Sequence, residues 1–219
     1  VLARQTAAVE AAAGAGRVLL LEREDALGTG STGACAGGFR HQFSSEINVT
    51  LSQRSLPHIE RFADEIGTDP HFHQVGYLFL ITEDRDVAAF EKSLAMWSRL
   101  GVPARRVTAT EAKALFKHAR TDDVRFGTFC AKDGYADPSG MLNGYVARAR
   151  EAGVAFTEGA AVTAISCTNG RVGGVRTKDE EIGARTVVID SLNGYQQAMS
   201  HEKQLILHMH ELLQFLNRQ

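Results

Sequence analysis

The segment Arg17-Val-Leu-Leu-Leu-Glu-Arg-Glu-Asp-Ala-Leu-Gly-Thr-Gly-Ser-Thr32 joins a short apolar run to a carboxylate and then to a loop of glycine and hydroxyl residues. The run Val18–Leu21 is continuous and apolar, which predicts a β-strand covered on both faces. Upstream, residues 3–13 are rich in alanine and favour a helix that ends at Gly14. A helix, a tight turn and a buried strand form the second half of a βαβ unit, so this region predicts an α/β fold.

Glu22 ends this strand, at the position where dinucleotide-binding units carry an acidic residue for the ribose hydroxyls. Such units also carry a G-x-G-x-x-G turn about 20 positions upstream, where it holds the pyrophosphate. Counting back from Glu22 places that turn at or before residue 4, and the first glycine of the sequence is Gly14. Two interpretations of Glu22 therefore stay open, a ribose ligand and a solvated carboxylate at a strand end.

The remaining sequence alternates helix and strand patterns. Helical spacing of apolar residues predicts helices at 46–66, 86–100, 110–116, 141–152 and 202–217. Thr108 and Glu111 have the spacing of a capping box for the third of these. Strands are predicted at 75–82, 154–157, 161–167, 172–177 and 185–190, with a hairpin turn at Asn169-Gly170.

Composition narrows the possible partners. The 219 residues include 24 basic and 26 acidic side chains, a balance that gives no reason to expect nucleic acid or an anionic membrane as a partner. No apolar run reaches the roughly 20 residues of a membrane-spanning helix, and the first residues lack the pattern of a secretory signal. The three cysteines, Cys35, Cys130 and Cys167, show no metal or disulfide spacing, which favours a reducing, cytoplasmic location.

Two separated blocks carry a family resemblance. The first is VLLLERED at 18–25 with GTGSTGACAGGFRHQFSSEINVTLSQRSLPHIERFADEIG at 28–67, and the second is DGYADPSGMLNGYVARAREAGVAFTEGAAVTAISCTNGRVGGVRT at 133–177. Together they resemble FAD-dependent oxidoreductases of the D-amino-acid oxidase class, especially members similar to the sarcosine oxidase β-subunit and glycine oxidase. The resemblance extends over residues 5–188. It implies hydride transfer from the carbon beside an amine to the flavin of FAD, with an amine or amino acid as substrate.

The resemblance also implies a set of FAD-binding residues. Glu22 would bind the adenosine ribose, with Arg23 beside it. Ser31 and Thr32 would cap the pyrophosphate, and Arg40 would lie near the flavin or the substrate carboxylate. The full set implied is Glu22, Arg23, Gly30, Ser31, Thr32, Ala36, Gly37, Gly38, Arg40 and Val162. Gly33 and Ala34 lie where some relatives attach flavin covalently to a histidine, so noncovalent FAD is expected. The catalytic residues are not identified.

The expected architecture is a partial FAD/NAD(P)-binding, Rossmann-like domain with an inserted α+β segment and an appended C-terminal helix. The predicted parts are the FAD-binding βαβ unit (1–45), the substrate-domain segment (46–130), a return to the FAD-binding domain (131–188) and a segment of other origin (189–219). Residues 186–219 resemble the Walker B region of RecA-like clock ATPases of the KaiC type, with Asp190 as the metal-orienting carboxylate. No G-x-x-x-x-G-K-[ST] phosphate loop accompanies it. The sequence therefore reads as a truncated or joined flavoprotein.

The sequence leaves three alternatives for the function of the chain. The chain is a catalytic flavoprotein, a cofactor-free interaction module of flavoprotein shape, or a fragment of a RecA-like ATPase. The apolar face of the C-terminal helix offers a surface for self-association.

His71 and His73 are interpreted as loop residues and no metal site is expected. Asp133 and Asp137 are interpreted as turn formers, Cys35 as a small buried residue, and Phe90 and Trp97 as core, as their spacing indicates.

Overall fold

A computed structural model describes residues 16–185 and residue 187. The predicted helix at 3–13, the predicted helix at 202–217 and Asp190 lie outside the described residues, as does most of the predicted strand at 185–190. In the described part, no helix is both long and apolar enough to span a membrane.

Ten strands and five helices make up the described part, and they confirm a mixed α/β fold. In chain order, the strands are β1 (Leu19–Leu21), β2 (Gly38–Phe39), β3 (Tyr77–Ile81), β4 (Ala104–Val107), β5 (Phe126–Cys130), β6 (Gly134–Tyr135), β7 (Ala155–Thr157), β8 (Ala164–Thr168), β9 (Arg171–Arg176) and β10 (Glu181–Gly183). The helices are α1 (Glu46–Glu60), α2 (Phe62–Ile66), α3 (Asp84–Arg99), α4 (Ala109–Leu115) and α5 (Pro138–Glu151).

Packing divides the chain into two compact units, with the boundaries after Gly30 and after Gly144. The first unit contains the described residues 16–30 and those from 145 onwards, and the second contains Ser31–Gly144. In the first unit, β1 pairs in parallel with β7, while β8, β9 and β10 form an antiparallel sheet. The predicted hairpin is confirmed, since Asn169 and Gly170 have φ angles of 53° and 73° between β8 and β9, the positive values that a tight hairpin turn needs.

The second unit is built on the antiparallel sheet β3-β5-β4, against which α3 packs. Trp97 is 1% exposed and its indole N–H donates to the Phe43 carbonyl oxygen at 2.8 Å. Val49, Val102 and Cys130 share its buried cluster, with Phe90 packed on the edge, so the core assignment of Trp97 and Phe90 is confirmed. A buried indole whose N–H is satisfied ties α3 to the segment that precedes α1.

The local signals for the ends of two helices have different outcomes. The capping box predicted for α4 is present, because the Thr108 hydroxyl oxygen accepts the Glu111 N–H and the Glu111 carboxylate accepts the Thr108 N–H. Helix α5 begins at Pro138, three residues before the predicted start. Proline suits the first helical position because its missing N–H would be unsatisfied there in any case. Asp137 accepts the Ser139 N–H at 2.9 Å, which agrees with its interpretation as a turn former.

Candidate functional site

In the first unit, Glu22 lies at the carboxyl edge of a parallel strand pair. Its N–H donates to the Thr157 carbonyl oxygen at 2.9 Å, directly beyond the last paired residues of β1 and β7. The Ala160 N–H donates to the Glu22 carbonyl oxygen at 2.8 Å, so the segments that follow the two strands are tied together. Ligands of open α/β sheets bind at this edge, where the structure places the half-buried Glu22, and its role as a ribose ligand stays a prediction.

Three other residues of the first unit were predicted to bind FAD, namely Arg23, Val162 and Gly30. Arg23 is exposed and forms an ion pair with Glu24, whose carbonyl oxygen accepts the Gly159 N–H at 2.8 Å. Val162 is half-buried in the segment between β7 and β8. A Cβ added to Gly30 would meet none of the described atoms within 4 Å, so nothing in the described fold requires glycine there.

In the second unit, the hydroxyl residues Ser31 and Thr32 lie in a turn that precedes the glycine pair. Ser31 is exposed and Thr32 is half-buried, and the Thr32 carbonyl oxygen accepts the Cys35 N–H at 3.4 Å. Ala36 is exposed. Cys35 is exposed as well, which corrects its interpretation as a small buried residue. A turn closed by one long backbone bond leaves the Cys35 side chain in solvent, although its sulfur accepts the Gly37 N–H at 3.1 Å.

Gly37 and Gly38 are required to different degrees. Gly37 has a φ of 74°, and an added Cβ would lie 2.0 Å from the Ala136 carbonyl oxygen. At Gly38 the nearest atom to an added Cβ would be a Tyr77 ring carbon at 3.9 Å, an ordinary contact. Glycine at 37 is thus imposed by the Ala136 carbonyl group, directly after β6, while the packing of the described residues does not require glycine at 38.

Arg40 is half-buried in a cluster of aromatic rings. Its guanidinium carbon lies 4.6 Å from the centre of the Phe43 ring, 5.8 Å from that of Tyr77 and 5.5 Å from that of Phe79. The Nε atom is buried and has no hydrogen-bond partner among the described residues. A buried donor without a partner is costly, and a cation held by aromatic rings attracts an anionic acceptor. Arg40 can therefore bind an anion.

Beside Arg40 lies a buried polar network centred on Asp133. The Asp133 carboxylate is 0% exposed, and its Oδ1 accepts the His41 N–H at 2.9 Å and lies 2.7 Å from His41 Nδ1. Its Oδ2 accepts from Gln42 Nε2 at 3.2 Å, and Gln42 Oε1 accepts the Thr128 hydroxyl at 2.6 Å. Gln42 Nε2 also donates to the Tyr77 carbonyl oxygen at 2.9 Å.

This network gives Asp133 a second role beside the turn that was predicted for it. Its N–H does close a turn to the Cys130 carbonyl oxygen at 3.2 Å, but its carboxylate is directed into the protein rather than to the turn. The available sequence signal was the polar pair His41-Gln42 between Phe39 and Phe43, where an apolar strand residue would be ordinary.

Cys130 adjoins the same network. Ligand atoms of His41, Cys130 and Asp133 lie within 4.8 Å of one another, which is a spacing that a metal ion could use. Burial, together with the nearby Asp133 charge, raises the pKa of the Cys130 thiol to about 12. Both Asp133 carboxylate oxygens already accept hydrogen bonds from His41 and Gln42, so the cluster fits a structural hydrogen-bond network.

The parallel strand pair within a mixed α/β fold agrees with the dinucleotide-binding class of α/β proteins. A family model described as "FAD dependent oxidoreductase" (DAO) matches residues 5–211, and the chain belongs to this family. The match includes both blocks on which the resemblance was based. FAD is the cofactor of the family.

Relatives share the fold over part of their length. An L-proline dehydrogenase from P. horikoshii has a TM-score of 0.77 at 30% identity, covering 87% of this chain and 50% of that chain. A glycine oxidase from Geobacillus kaustophilus has a TM-score of 0.74 at 23% identity, covering 84% and 52%. The "FAD-dependent oxidoreductase domain-containing protein 1" of Bos taurus is 29% identical over 163 residues, 71% of this chain and 33% of that relative. The chain thus spans about half the length of these solved relatives and a third of this curated one.

Proposed function

We propose that the protein takes part in the FAD-dependent oxidation of an amino acid, with Arg40 binding the substrate carboxylate. The single observation that carries this proposal is the Arg40 side chain, a cation among three aromatic rings with a buried Nε that lacks an acceptor in the described part. An amino-acid carboxylate supplies such an acceptor, and arginine is the side chain best suited to bind it. Among the relatives, an L-proline dehydrogenase and a glycine oxidase are named for amino acids.

Within each unit, the positions of several residues support the predicted FAD-binding set. In the first unit Glu22 is half-buried at the carboxyl edge of β1, with Arg23, Gly30 and Val162 in the adjoining segments. In the second unit Gly38 has space beside it, and Arg40 has an unsatisfied donor. We propose that these residues hold FAD together with the others predicted, namely Ser31, Thr32, Ala36 and Gly37.

When bound, FAD supplies the acceptor for the hydride that leaves the carbon beside the amine. The chain's own residues bind and orient the substrate. Arg40 fixes the carboxylate end of the substrate, and the rings of Phe43, Tyr77 and Phe79 hold the guanidinium in place and exclude water from its face.

Uptake of FAD is the first test. The purified protein is titrated with FAD, and the expected result is a bound flavin with visible absorbance that cannot be removed by gel filtration. Protein that stays colourless would contradict the proposal and favour the cofactor-free interaction module.

Recognition of the carboxylate is tested with two amines that differ only in that group. Anaerobic reduction of the bound flavin is followed with proline and with pyrrolidine, and proline is expected to bind about tenfold more tightly. Arg40→Met should remove this preference. Arg106→Met is the matched control, since Arg106 also lies over an aromatic ring, Phe126, at 4.2 Å but on β4. A preference that survives in Arg40→Met would refute the role of Arg40.

Four further assignments stay predictions. They are the four-part division of the chain, self-association through the C-terminal helix, cytoplasmic location, and the Walker B likeness of residues 186–219. The last is tested by a thermal shift with magnesium and ATP, where an unchanged melting temperature would reject it. Sedimentation of the full chain and of a variant with charged residues at Leu205 and Leu212 tests self-association.

A further inference from the structure

The segment Gly37–Gln42 is held along its length by one short stretch, Asp133–Ala136. The Ala136 N–H donates to the Gly37 carbonyl oxygen at 3.0 Å, and β2 and β6 pair Gly38 with Tyr135 and Phe39 with Gly134. The Asp133 carboxylate then accepts from the next residues, His41 and Gln42. Arg40 lies between the strand pair and the carboxylate.

The strand pair is too short to fix this segment alone. It contains two residues on each side, and a slip by one residue would turn Arg40 to the opposite face. The carboxylate prevents such a slip because its two oxygens receive a backbone N–H, an imidazole nitrogen and an amide nitrogen from two consecutive residues. Its complete burial means that any other arrangement would leave a charge without its partners.

The network also extends away from the segment into the sheet. Gln42 donates to the Tyr77 carbonyl oxygen of β3 and accepts from the Thr128 hydroxyl of β5. Tyr77 belongs to the aromatic cluster around the Arg40 guanidinium. The same network therefore ties the backbone beside Arg40 to β3, the strand that supplies two of the three surrounding rings, Tyr77 and Phe79.

We propose that Asp133 is a positioning residue for Arg40: through His41 and Gln42 it fixes the chain directly after Arg40, while the β2–β6 pair holds the chain before it, and so sets the affinity for a carboxylate ligand. This inference rests on the proposed function of Arg40. Asp133 itself touches neither substrate nor cofactor in this role.

The test compares Asp133→Asn with Asp137→Asn. Both remove one negative charge from the same region, but among the described residues the Asp137 carboxylate accepts a local N–H alone, that of Ser139. In Asp133→Asn, one carboxylate oxygen becomes an amide nitrogen that cannot accept from its present donors. Thr128→Val is the milder second variant if Asp133→Asn does not fold, because it removes the hydroxyl at the far end, whereas Thr128→Ser retains it.

Two measurements are made on each variant. Hydrogen exchange of the amides at 38–42 is expected to quicken about tenfold in Asp133→Asn and less in Thr128→Val, and to stay unchanged in Asp137→Asn and Thr128→Ser. The binding preference for proline over pyrrolidine is expected to fall about tenfold in Asp133→Asn, with pyrrolidine binding unchanged. An equal weakening of both amines would show a general structural defect and would overturn the inference.

The two proposals fail in distinguishable ways. If the parent protein takes up no FAD or shows no preference for proline, the proposed function is wrong and exchange at 38–42 alone decides whether Asp133 positions the segment. Unchanged exchange in Asp133→Asn overturns the positioning role whatever the parent protein binds, while faster exchange confined to 38–42 supports it.

Discussion

Gly37→Ala separates two ways in which a glycine can be required. Gly37 and Gly101 share a φ of 74°, but an added Cβ would lie 2.0 Å from the Ala136 carbonyl oxygen at Gly37 and would meet no described atom within 4 Å at Gly101. Gly101→Ala therefore introduces only the strain of a positive φ, about 1 kcal/mol after the gain from a stiffer unfolded chain. The same strain and the same gain apply to Gly37→Ala, so the difference between the variants isolates the collision.

The collision at Gly37 cannot be relieved by a side-chain rotation, because the atom it meets belongs to the backbone. Moving the Ala136 carbonyl disturbs the bond between the Ala136 N–H and the Gly37 carbonyl oxygen, worth about 1 kcal/mol, and adds overpacking of about 1 kcal/mol or more. We expect Gly37→Ala to lower the free energy of unfolding by about 3 kcal/mol in total, which is about 2 kcal/mol more than Gly101→Ala.

Urea unfolding followed by tryptophan fluorescence measures this difference. Trp97 is the single tryptophan and lies in the same unit as both glycines, so one probe reports both variants. Equal destabilisation by Gly37→Ala and Gly101→Ala, within about 0.5 kcal/mol, would refute the close approach of the two backbones.

Three further outcomes follow from the described contacts. At pH 8 a disulfide reagent should modify the exposed Cys35 and Cys167 at once and Cys130 only after unfolding, because the pKa of the buried thiol is about 12. The raised pKa stabilises the fold fully below the ordinary value of 9.0 and progressively less as pH rises from there towards 12; the advantage in urea midpoint over Cys130→Ala should shrink in that range. Thr108→Ala should destabilise by about 1 kcal/mol by removing the helix cap, with Thr110→Ala inside the same helix as a control that lacks this loss.

The elements predicted best are those whose signals are local. The run Val18–Leu21 contains β1, and Asn169-Gly170 forms the predicted hairpin, because a turn with two positive φ angles depends on its own residues. Strand β5 was not predicted, although it lies at the centre of the β3-β5-β4 sheet. Its pattern is interrupted by Gly127, where an added Cβ would lie 2.8 Å from the Phe79 carbonyl oxygen and from a Val107 methyl group. Close strand packing requires this glycine, and the same glycine interrupts the apolar pattern by which a strand is predicted from sequence.

The candidate site likewise contains residues whose positions have a local sequence signal and residues whose positions do not. The position of Glu22 at a strand end could be predicted because it needs only the residues before it. The role of Asp133 could not, because its partner His41 lies 92 positions away and the turn residues around Asp133 offer a sufficient local explanation. A residue with two compatible roles, one local and one long-range, shows only the local one in the sequence.

Gly37 and Asp133 illustrate how the distance and register of a strand pair can be fixed although each strand has only two residues. At one end the Ala136 carbonyl approaches so closely that only glycine fits, and at the other a carboxylate binds two consecutive residues. A close approach excludes side chains but has no preferred direction along the strand, whereas the carboxylate defines which residue lies opposite it. Neither feature alone fixes both the distance and the register of the segment that carries Arg40. Their combination does, and it allows a two-residue strand to hold a charged side chain among aromatic rings.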